Sequence, residues 1–426
     1  MTSRRAERSH VHRITAELRE GEVVKPLELF FDLVFVLGFT QCTVLMEAQP
    51  TWAGIGRAML VLAVLWWAWV GFSWLTSVIE PEEGGVRIVM FAATAGLLVV
   101  ALCVPEAFGD RALLFAVAYG VVRLAHIALF LIASRDDPAL RRAVVGLAVS
   151  TASAIGLLIG AAFVPTGAQE ALWGLAILID WGGPALFGTR GWKLVPGHFA
   201  ERHSLVIILA LGESIVSLGV GAKTDLTAGV ITAAVLGVAL AAALWWTYFD
   251  VVALVNVRRL TMTSEGRQRN ALARDSYSYL HFPMVAGIVL AAFGLEETLA
   301  HVDDPLDAVA AFALLGGVAL YLLAHVALRL RNAHTINRQR LVLGIGLFPL
   351  IPVATVVPAI ATLAGIDVLL WAMIAYETAN YDERRYRLRH GLDPDAEASL
   401  GGERPPSSHG DARTPDGSPR TSGADL

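Results

Sequence analysis

The sequence predicts an all-α polytopic membrane protein with about 12 transmembrane helices, arranged as two parallel six-helix repeats. The chain of 426 residues is 55% hydrophobic and only 17% charged, and its mean hydropathy is +0.58. Soluble domains carry about a quarter charged residues, so this composition indicates lipid as the surrounding solvent. Apolar runs of about twenty residues, the length that spans a bilayer, also recur along most of the chain.

Twelve apolar runs define the predicted helices. They fall at about 27–47, 53–79, 86–104, 111–133, 143–164, 169–188, 199–221, 226–249, 276–295, 306–329, 341–361 and 365–380. No small-residue cleavage site closes the first run, so we interpret it as a retained helix rather than a signal peptide. The eleventh run contains Pro349, Pro352 and Pro358, which membrane helices tolerate when neighbours satisfy the freed carbonyls.

The basic residues predict the orientation. They concentrate in the N-terminal tail, in every second connection and after the last run, whereas the intervening connections hold only Arg111 and Lys223. Basic connections stay on the cytoplasmic side of a membrane. We therefore expect both termini to be cytoplasmic.

Matching segments indicate a duplication. Leu65–Trp69 (LWWAW) in the second run resembles Leu244–Tyr248 (LWWTY) in the eighth, and Leu124–Leu129 (LAHIAL) in the fourth resembles Leu323–Leu328 (LAHVAL) in the tenth. Six spans per half is an even number, so both halves have the same orientation in the membrane, which gives a parallel repeat.

The predicted domains follow from this duplication. They are a cytoplasmic basic tail over 1–26, a first six-helix repeat over 27–190, a second over 191–381, and a basic juxtamembrane segment with a disordered cytoplasmic tail over 382–426.

Ionisable residues within or beside the apolar runs concentrate towards the predicted cytoplasmic side, on helices of both repeats. A charged group in hydrocarbon is costly unless it faces protein, water or a partner. We therefore interpret these residues as candidates that line a polar cavity and exchange protons or contact a solute. They are Glu28, Asp32, Arg123, His126, Asp180, Glu201, His203, Glu213, His281 and His325.

Some of these candidates have an equally simple structural explanation. Glu28 and Glu201 suit helix-end residues that cap a helix or pair with loop arginines. His126 and His325 suit hydrogen-bonded structural histidines. The depth of Asp32, Arg123 and Glu213 favours a function or an internal ion pair, with Arg123 as the expected counter-charge for Asp32 or Glu213.

Two motifs together resemble a known family. The stretch Glu28–Val36 (ELFFDLVFV), followed downstream by Glu201-Arg202-His203 and Leu211–Ser214 (LGES), resembles the bacterial low temperature requirement protein A (LtrA) family over about residues 20–385. The resemblance implies a multi-pass protein of the bacterial cytoplasmic membrane and places Glu28, Asp32, Glu201, His203 and Glu213 in the family signature. The family is named for a requirement in growth at low temperature, and the resemblance implies no particular reaction.

The absence of common nucleotide-binding and hydrolase motifs disfavours some classes of function. The sequence contains no G-x-x-x-x-G-K-[ST] phosphate loop, no H-E-x-x-H and no G-x-S-x-G, so an ATP-driven pump or a motif-bearing hydrolase is disfavoured. Cys42 and Cys103 lie inside apolar runs without metal-ligand spacing and are interpreted as small core residues. We expect no cofactor, no metal and no nucleic-acid partner, and the partners predicted are the lipid bilayer and an unidentified small solute.

Three functions remain open. The favoured hypothesis is a proton-coupled secondary transporter or permease for a small solute, because the duplication and the buried ionisable groups both suit it. The second is an intramembrane lipid-modifying or cofactor-binding enzyme, in which histidines of the fourth, ninth and tenth runs would ligate haem or metal or perform acid-base chemistry. The third is a non-catalytic membrane protein that supports growth in the cold.

Overall fold

The computed structural model describes residues 23–82, 84–187, 191–221 and 226–390, without the side chains of residues 220, 221 and 381–390. Most of the predicted basic tail and the predicted disordered tail lie outside the described residues. Within the described residues the chain forms fifteen α-helices, joined by short 3₁₀ segments and one π-helix. The α-helices are α1 Pro26–Ala48, α2 Trp52–Thr76, α3 Gly84–Cys103, α4 Ala112–Ala133, α5 Pro138–Ala161, α6 Ala168–Leu186, α7 Pro196–Gly221, α8 Ala228–Phe249, α9 Val252–Met262, α10 Arg267–Leu272, α11 His281–Ala300, α12 Ala308–Ala333, α13 Arg338–Gly346, α14 Ile351–Ala354 and α15 Ala359–His390.

The protein is an all-helical, multi-pass membrane protein. Ten helices of the described part are long and apolar enough to cross a membrane, judged by length and composition. They include α1 to α5, α7, the combined helix of α8 and α9, the combined helix that ends with α11, α12 and the first part of α15. The sixth predicted run forms α6, which is not among these ten. The count of twelve therefore stays a prediction.

The region of the eleventh predicted run does not form one long helix. It is divided into α13, a 3₁₀ turn at Phe348–Leu350 and the short α14. Pro349 and Pro352 lie at this break, and proline lacks the N–H that a continuing helix needs.

The basic stretch predicted as a connection between the eighth and ninth runs is largely helical. It forms α9 and α10, and a π-helix at Ala273–Tyr279 then leads into α11. The predicted connection is therefore mostly helical, because these residues extend the neighbouring apolar helices beyond their apolar parts.

Helices α2, α11 and α12 are the most enclosed by their neighbours. Helices α11 and α12 approach closely through Gly287 and Gly317: a Cβ built at Gly287 would lie 2.5 Å from the Gly317 carbonyl oxygen. Small residues permit such backbone contact between membrane helices. Helix α1 packs beside α2, α3, α7 and α11, and this junction carries most of the buried polar groups described below.

Candidate functional site

Two acids on α1 face two bases on α7. Glu28 and Asp32 are four residues apart, as are His198 and Arg202, so each pair occupies one face of its helix. All four residues are fully buried. We call Glu28, Asp32, His198 and Arg202 the α1–α7 ion cluster.

Arg202 connects the two acids of the cluster. Its Nη1 donates to Glu28 Oε1 at 3.2 Å and to Thr76 Oγ1 at 2.9 Å, and its Nη2 donates to Asp32 Oδ1. The Trp69 indole N–H also donates to Asp32 Oδ1, at 2.9 Å, and the guanidinium lies 5.6 Å from the centroid of the Trp69 ring. One cation is thus shared by two carboxylates on adjacent turns.

His198 completes the cluster at Glu28. Its Nε2 lies 3.0 Å from both carboxylate oxygens of Glu28, while the backbone N–H of Lys25 donates to Glu28 Oε2 at 2.9 Å. Glu28 therefore caps α1, as a helix-end residue would, and also contributes to the ion cluster. With both carboxylates ionised, the cluster carries one net negative charge when His198 is neutral and none when His198 is protonated.

Two further histidines lie beside the cluster. The His203 ring is 4.8 Å from the Trp69 ring and 5.5 Å from the His281 ring, centroid to centroid. His281 Nδ1 donates to the Ser276 carbonyl at 2.8 Å, and the Tyr248 hydroxyl lies 2.8 Å from His281 Nε2. Residues from both predicted repeats therefore meet around Trp69.

His126 and His325, which occupy matching positions in the predicted repeats, have different surroundings. His325 Nδ1 donates to the Tyr321 carbonyl at 2.9 Å. The His126 ring instead packs between Phe72 and Phe130, at centroid distances of 5.2 and 5.1 Å. Both histidines are buried.

Arg123 pairs with Asp180 rather than with Asp32 or Glu213. Its Nη2 is 3.1 Å from Asp180 Oδ2 and donates to Thr151 Oγ1 at 2.9 Å, and Thr151 Oγ1 in turn donates to Asp180 Oδ1 at 2.8 Å. The predicted counter-charge was wrong because α4 packs against α5, and α5 against α6, which brings Asp180 to Arg123.

Hydroxyl groups surround Glu213. Thr40 and Thr43 on α1, and Ser217 on α7, donate to its carboxylate. No basic side chain of the described residues contacts it. This deep acid is therefore held by neutral donors between the same two helices as the ion cluster.

The two polar sets show that α1 and α7 run parallel. Glu28 of α1 contacts Arg202 of α7, and Thr40 of α1 contacts Glu213 of α7. Thr40 follows Glu28 by twelve residues, and Glu213 follows Arg202 by eleven. At 1.5 Å per residue the sets lie about 16–18 Å apart along the helices.

Glu201 lies outside these sets. Its side chain is exposed, and its Oε2 accepts a hydrogen bond from the backbone N–H of Val24 at 3.1 Å. The contact fixes the chain just before α1, in agreement with a helix-end explanation for Glu201.

Neither Arg202 nor His198 was among the predicted site residues. The spacing of these bases repeats the spacing of Glu28 and Asp32. That matching spacing of acids and bases could have suggested an ion cluster, although only the structure shows that α1 and α7 are neighbours.

The donors do not suggest a metal centre. Among the described residues, no group of three or more His, Cys, Asp or Glu side chains is arranged to hold a metal ion. Cys42 and Cys103 are both buried as free thiols.

Comparison with known proteins agrees with the sequence motifs. A family model described as bacterial low temperature requirement A protein (LtrA) matches residues 23–375. The chain is also similar to an uncharacterized protein of Rhizobium meliloti (strain 1021), with 28% identity over 395 residues that cover 86% of this chain and 92% of the relative. No solved structure matches the chain. The family match includes both polar sets between α1 and α7, and the chain belongs to the LtrA family.

Proposed function

We propose that this LtrA-family protein is a proton-coupled secondary transporter of a small solute in the bacterial cytoplasmic membrane. The α1–α7 ion cluster carries the proposal. It is fully buried, and its four ionisable side chains come from the first helix of each proposed repeat. Transporters with duplicated folds bind their substrates and coupling ions where the repeats meet.

The composition of the cluster suits proton coupling. Two carboxylates share Arg202, and His198 contacts one of them, Glu28. Uptake of one proton by the neutral-histidine state removes the net charge of the cluster. A buried charge raises the free energy of the conformation that buries it. Because protonation changes that charge, it can shift the equilibrium between two conformations of the surrounding helices.

The proposed architecture is two parallel six-helix repeats, over 27–190 and 191–381, with both termini in the cytoplasm. The parallel course of α1 and α7 supports this arrangement, since the first helices of parallel repeats point the same way. The basic residues of alternate connections support the orientation.

Transport is tested in proteoliposomes that contain a pH-sensitive dye. An imposed gradient of a candidate solute should drive proton movement through the wild-type protein, and Asp32→Asn should abolish that movement because it removes one of the two acids. Glu170→Gln is the matched control. Glu170 also pairs with an arginine, Arg57, but this pair is partly exposed and lies outside the cluster.

Equal solute-driven proton movement by Asp32→Asn and wild type would overturn the coupling assignment. Solute flux without proton movement in the wild type would leave a permease without coupling. If a broad set of solutes gave no flux at all, transport itself would be contradicted.

The orientation has its own test. Because Cys42 and Cys103 are buried, single cysteines introduced at the exposed Asp136 and Asp303 can be labelled selectively in intact cells. A membrane-impermeant maleimide should label Asp303→Cys but not Asp136→Cys. The reverse pattern would contradict cytoplasmic termini.

A further inference from the structure

A cavity of about 40 Å³ lies beside α2, away from the ion cluster. Helices α2, α4, α5 and α6 and the segment that leads into α11 surround it. Its lining residues are Trp67, Val70, Gly71, Trp74, Arg123, His126, Phe130, Leu147, Pro184, Trp192, Arg274 and Ser278. The cavity is larger than the space that one buried water needs.

Two buried polar side chains line the cavity with unused hydrogen-bonding capacity. Arg123 and His126 are almost completely buried. Arg123 Nε has no hydrogen-bond partner among the described residues, and the His126 ring contacts the backbone of Gly71 but hydrogen-bonds no side chain of these residues. A buried donor without a partner costs free energy, so a ligand that accepts a hydrogen bond here would be favoured.

The charges at the cavity favour an anion. Arg123 and Arg274 line it, while their carboxylate partners, Asp180 and Asp275, are not among the described lining residues. A second cation, Arg331, also contacts Asp275, at 3.0 Å. Arg274 thus shares the Asp275 carboxylate with a second arginine, and the lining residues include two arginines and no carboxylate.

The remaining wall is apolar. Trp67, Trp74, Trp192 and Phe130 present aromatic surface, and Leu147 adds an aliphatic side chain. Ligand sites typically combine such walls with a few polar groups that fix orientation. A short organic anion, with one charged end and a small apolar body, fits both parts.

Gly71 leaves room beside Arg123 and His126 because it has no Cβ. A Cβ built there would lie 2.6 Å from Arg123 Nη1 and 3.1 Å from His126 Nε2. Gly56 on the same helix has no atom within 4 Å of such a Cβ. The two glycines therefore make a matched pair for testing the cavity.

We propose that this cavity binds a small monocarboxylate, with its carboxylate directed towards Arg123 and His126. The further identification of this anion as the transported solute rests on the proposed function. Phe72 contacts Phe31 of α1 on one side and His126 on the other, at ring distances of 4.7 and 5.2 Å. Helix α2 thus lies between the cavity and the ion cluster.

Binding is tested by calorimetry on the purified full chain in detergent, with sodium propionate as the probe. Propionamide, which has a similar shape but no charge, and sodium chloride at equal ionic strength are the comparison ligands. Propionate should bind wild type and Gly56→Ala alike, and Gly71→Ala should weaken it about tenfold or more, since a charge-assisted hydrogen bond is lost. Leu147→Phe, which fills the cavity from α5, should have the same effect if Gly71→Ala fails to fold.

Three results would overturn the site: equal affinity for propionate in the cavity-filling variants, equal affinity for propionamide, or equal affinity for chloride. The last result would indicate an inorganic-anion site. Binding with no propionate-driven proton movement in proteoliposomes would contradict propionate transport while leaving the site intact. Proton-coupled flux of another solute, with no propionate binding, would overturn the site while leaving transport intact.

Discussion

Arg202 of α7 donates hydrogen bonds to both Glu28 and Asp32 of α1, inside a region without solvent exposure. A single guanidinium thus balances acids on two successive helical turns. Removing one partner of a buried ion pair leaves a charge that neither water nor protein neutralises, and this cost exceeds that of losing a surface pair. The following predictions concern this cluster and its surroundings.

Arg202→Met should destabilise the folded protein by about 3–5 kcal/mol, because Glu28 and Asp32 would remain buried without their shared cation. The measurement is thermal unfolding in detergent. Arg57→Met should cost less, since the Arg57–Glu170 pair is partly exposed. Adding Asp32→Asn to Arg202→Met should recover stability, because Glu28 keeps His198. A double variant that is less stable than Arg202→Met would contradict this account.

Asp180→Asn should lower stability by about 3 kcal/mol or more, because it leaves the buried Arg123 guanidinium without a carboxylate. Unfolding midpoints of wild type and variant in the same detergent provide the test. An unchanged midpoint would show that Arg123 obtains its counter-charge elsewhere.

Glu213→Gln should change stability by less than about 1 kcal/mol, since hydroxyl donors rather than a cation hold this side chain. The amide oxygen can accept the hydrogen bonds that Thr43 and Ser217 donate to Oε1, and the amide nitrogen in the Oε2 position can donate to the Thr40 hydroxyl, whose own hydrogen can bond the Val36 carbonyl. The comparison with Asp180→Asn is direct because both variants replace a buried acid by its amide. If Glu213→Gln were the more damaging of the two, a cation would have to lie near Glu213.

Acid should weaken the start of α5 through Asp137. The Lys193 ammonium, 2.9 Å away, and the Leu140 N–H donate to Asp137 and hold the pKa of this carboxyl below its ordinary value. A lowered pKa contributes stability above the unfolded value of about 3.9, and that contribution is lost as the pH falls through the lower folded value.

Asp137→Asn tests this dependence, because asparagine still caps the helix but cannot ionise. Between about pH 6 and about pH 3 the unfolding midpoint of the wild type should fall more than that of the variant. Parallel midpoints over this range would contradict the role of Asp137.

Gly287→Ala should destabilise the contact of α11 with α12 by about 1–3 kcal/mol, since the added methyl would enter the Gly317 backbone. Gly365→Ala is the control, because a Cβ there meets nothing within 4 Å. Thermal unfolding of the two variants gives the comparison. Equal midpoints would indicate that α11 and α12 can separate without loss.

The sequence was sufficient for features that depend on local composition. The apolar runs predicted α1 to α8 and α12 with small shifts at their ends, and the motifs at Glu28 and Glu213 predicted the family. Hydrophobic length and helical spacing are properties of one segment, so they can be read without knowing its neighbours.

Features that depend on helix neighbours could not be predicted in the same way. Arg123 has several acids at similar depth, and only the packing of α4, α5 and α6 selects Asp180. Arg202 lies in the seventh predicted run, but nothing in that run shows that its partners are Glu28 and Asp32 of α1. Whether a charged side chain is buried depends on the partner that a neighbouring helix supplies, and the local sequence does not identify that helix.

The two polar sets between α1 and α7 restrict how these helices can move. A slide of α7 along α1 by one turn, about 5.4 Å, would separate the ion cluster and the hydroxyl contacts of Glu213 together. A small tilt about the line joining the two sets would disturb neither as much. The α1–α7 contact therefore resists translation of one helix along the other and leaves rotation about that line as the motion of lower cost.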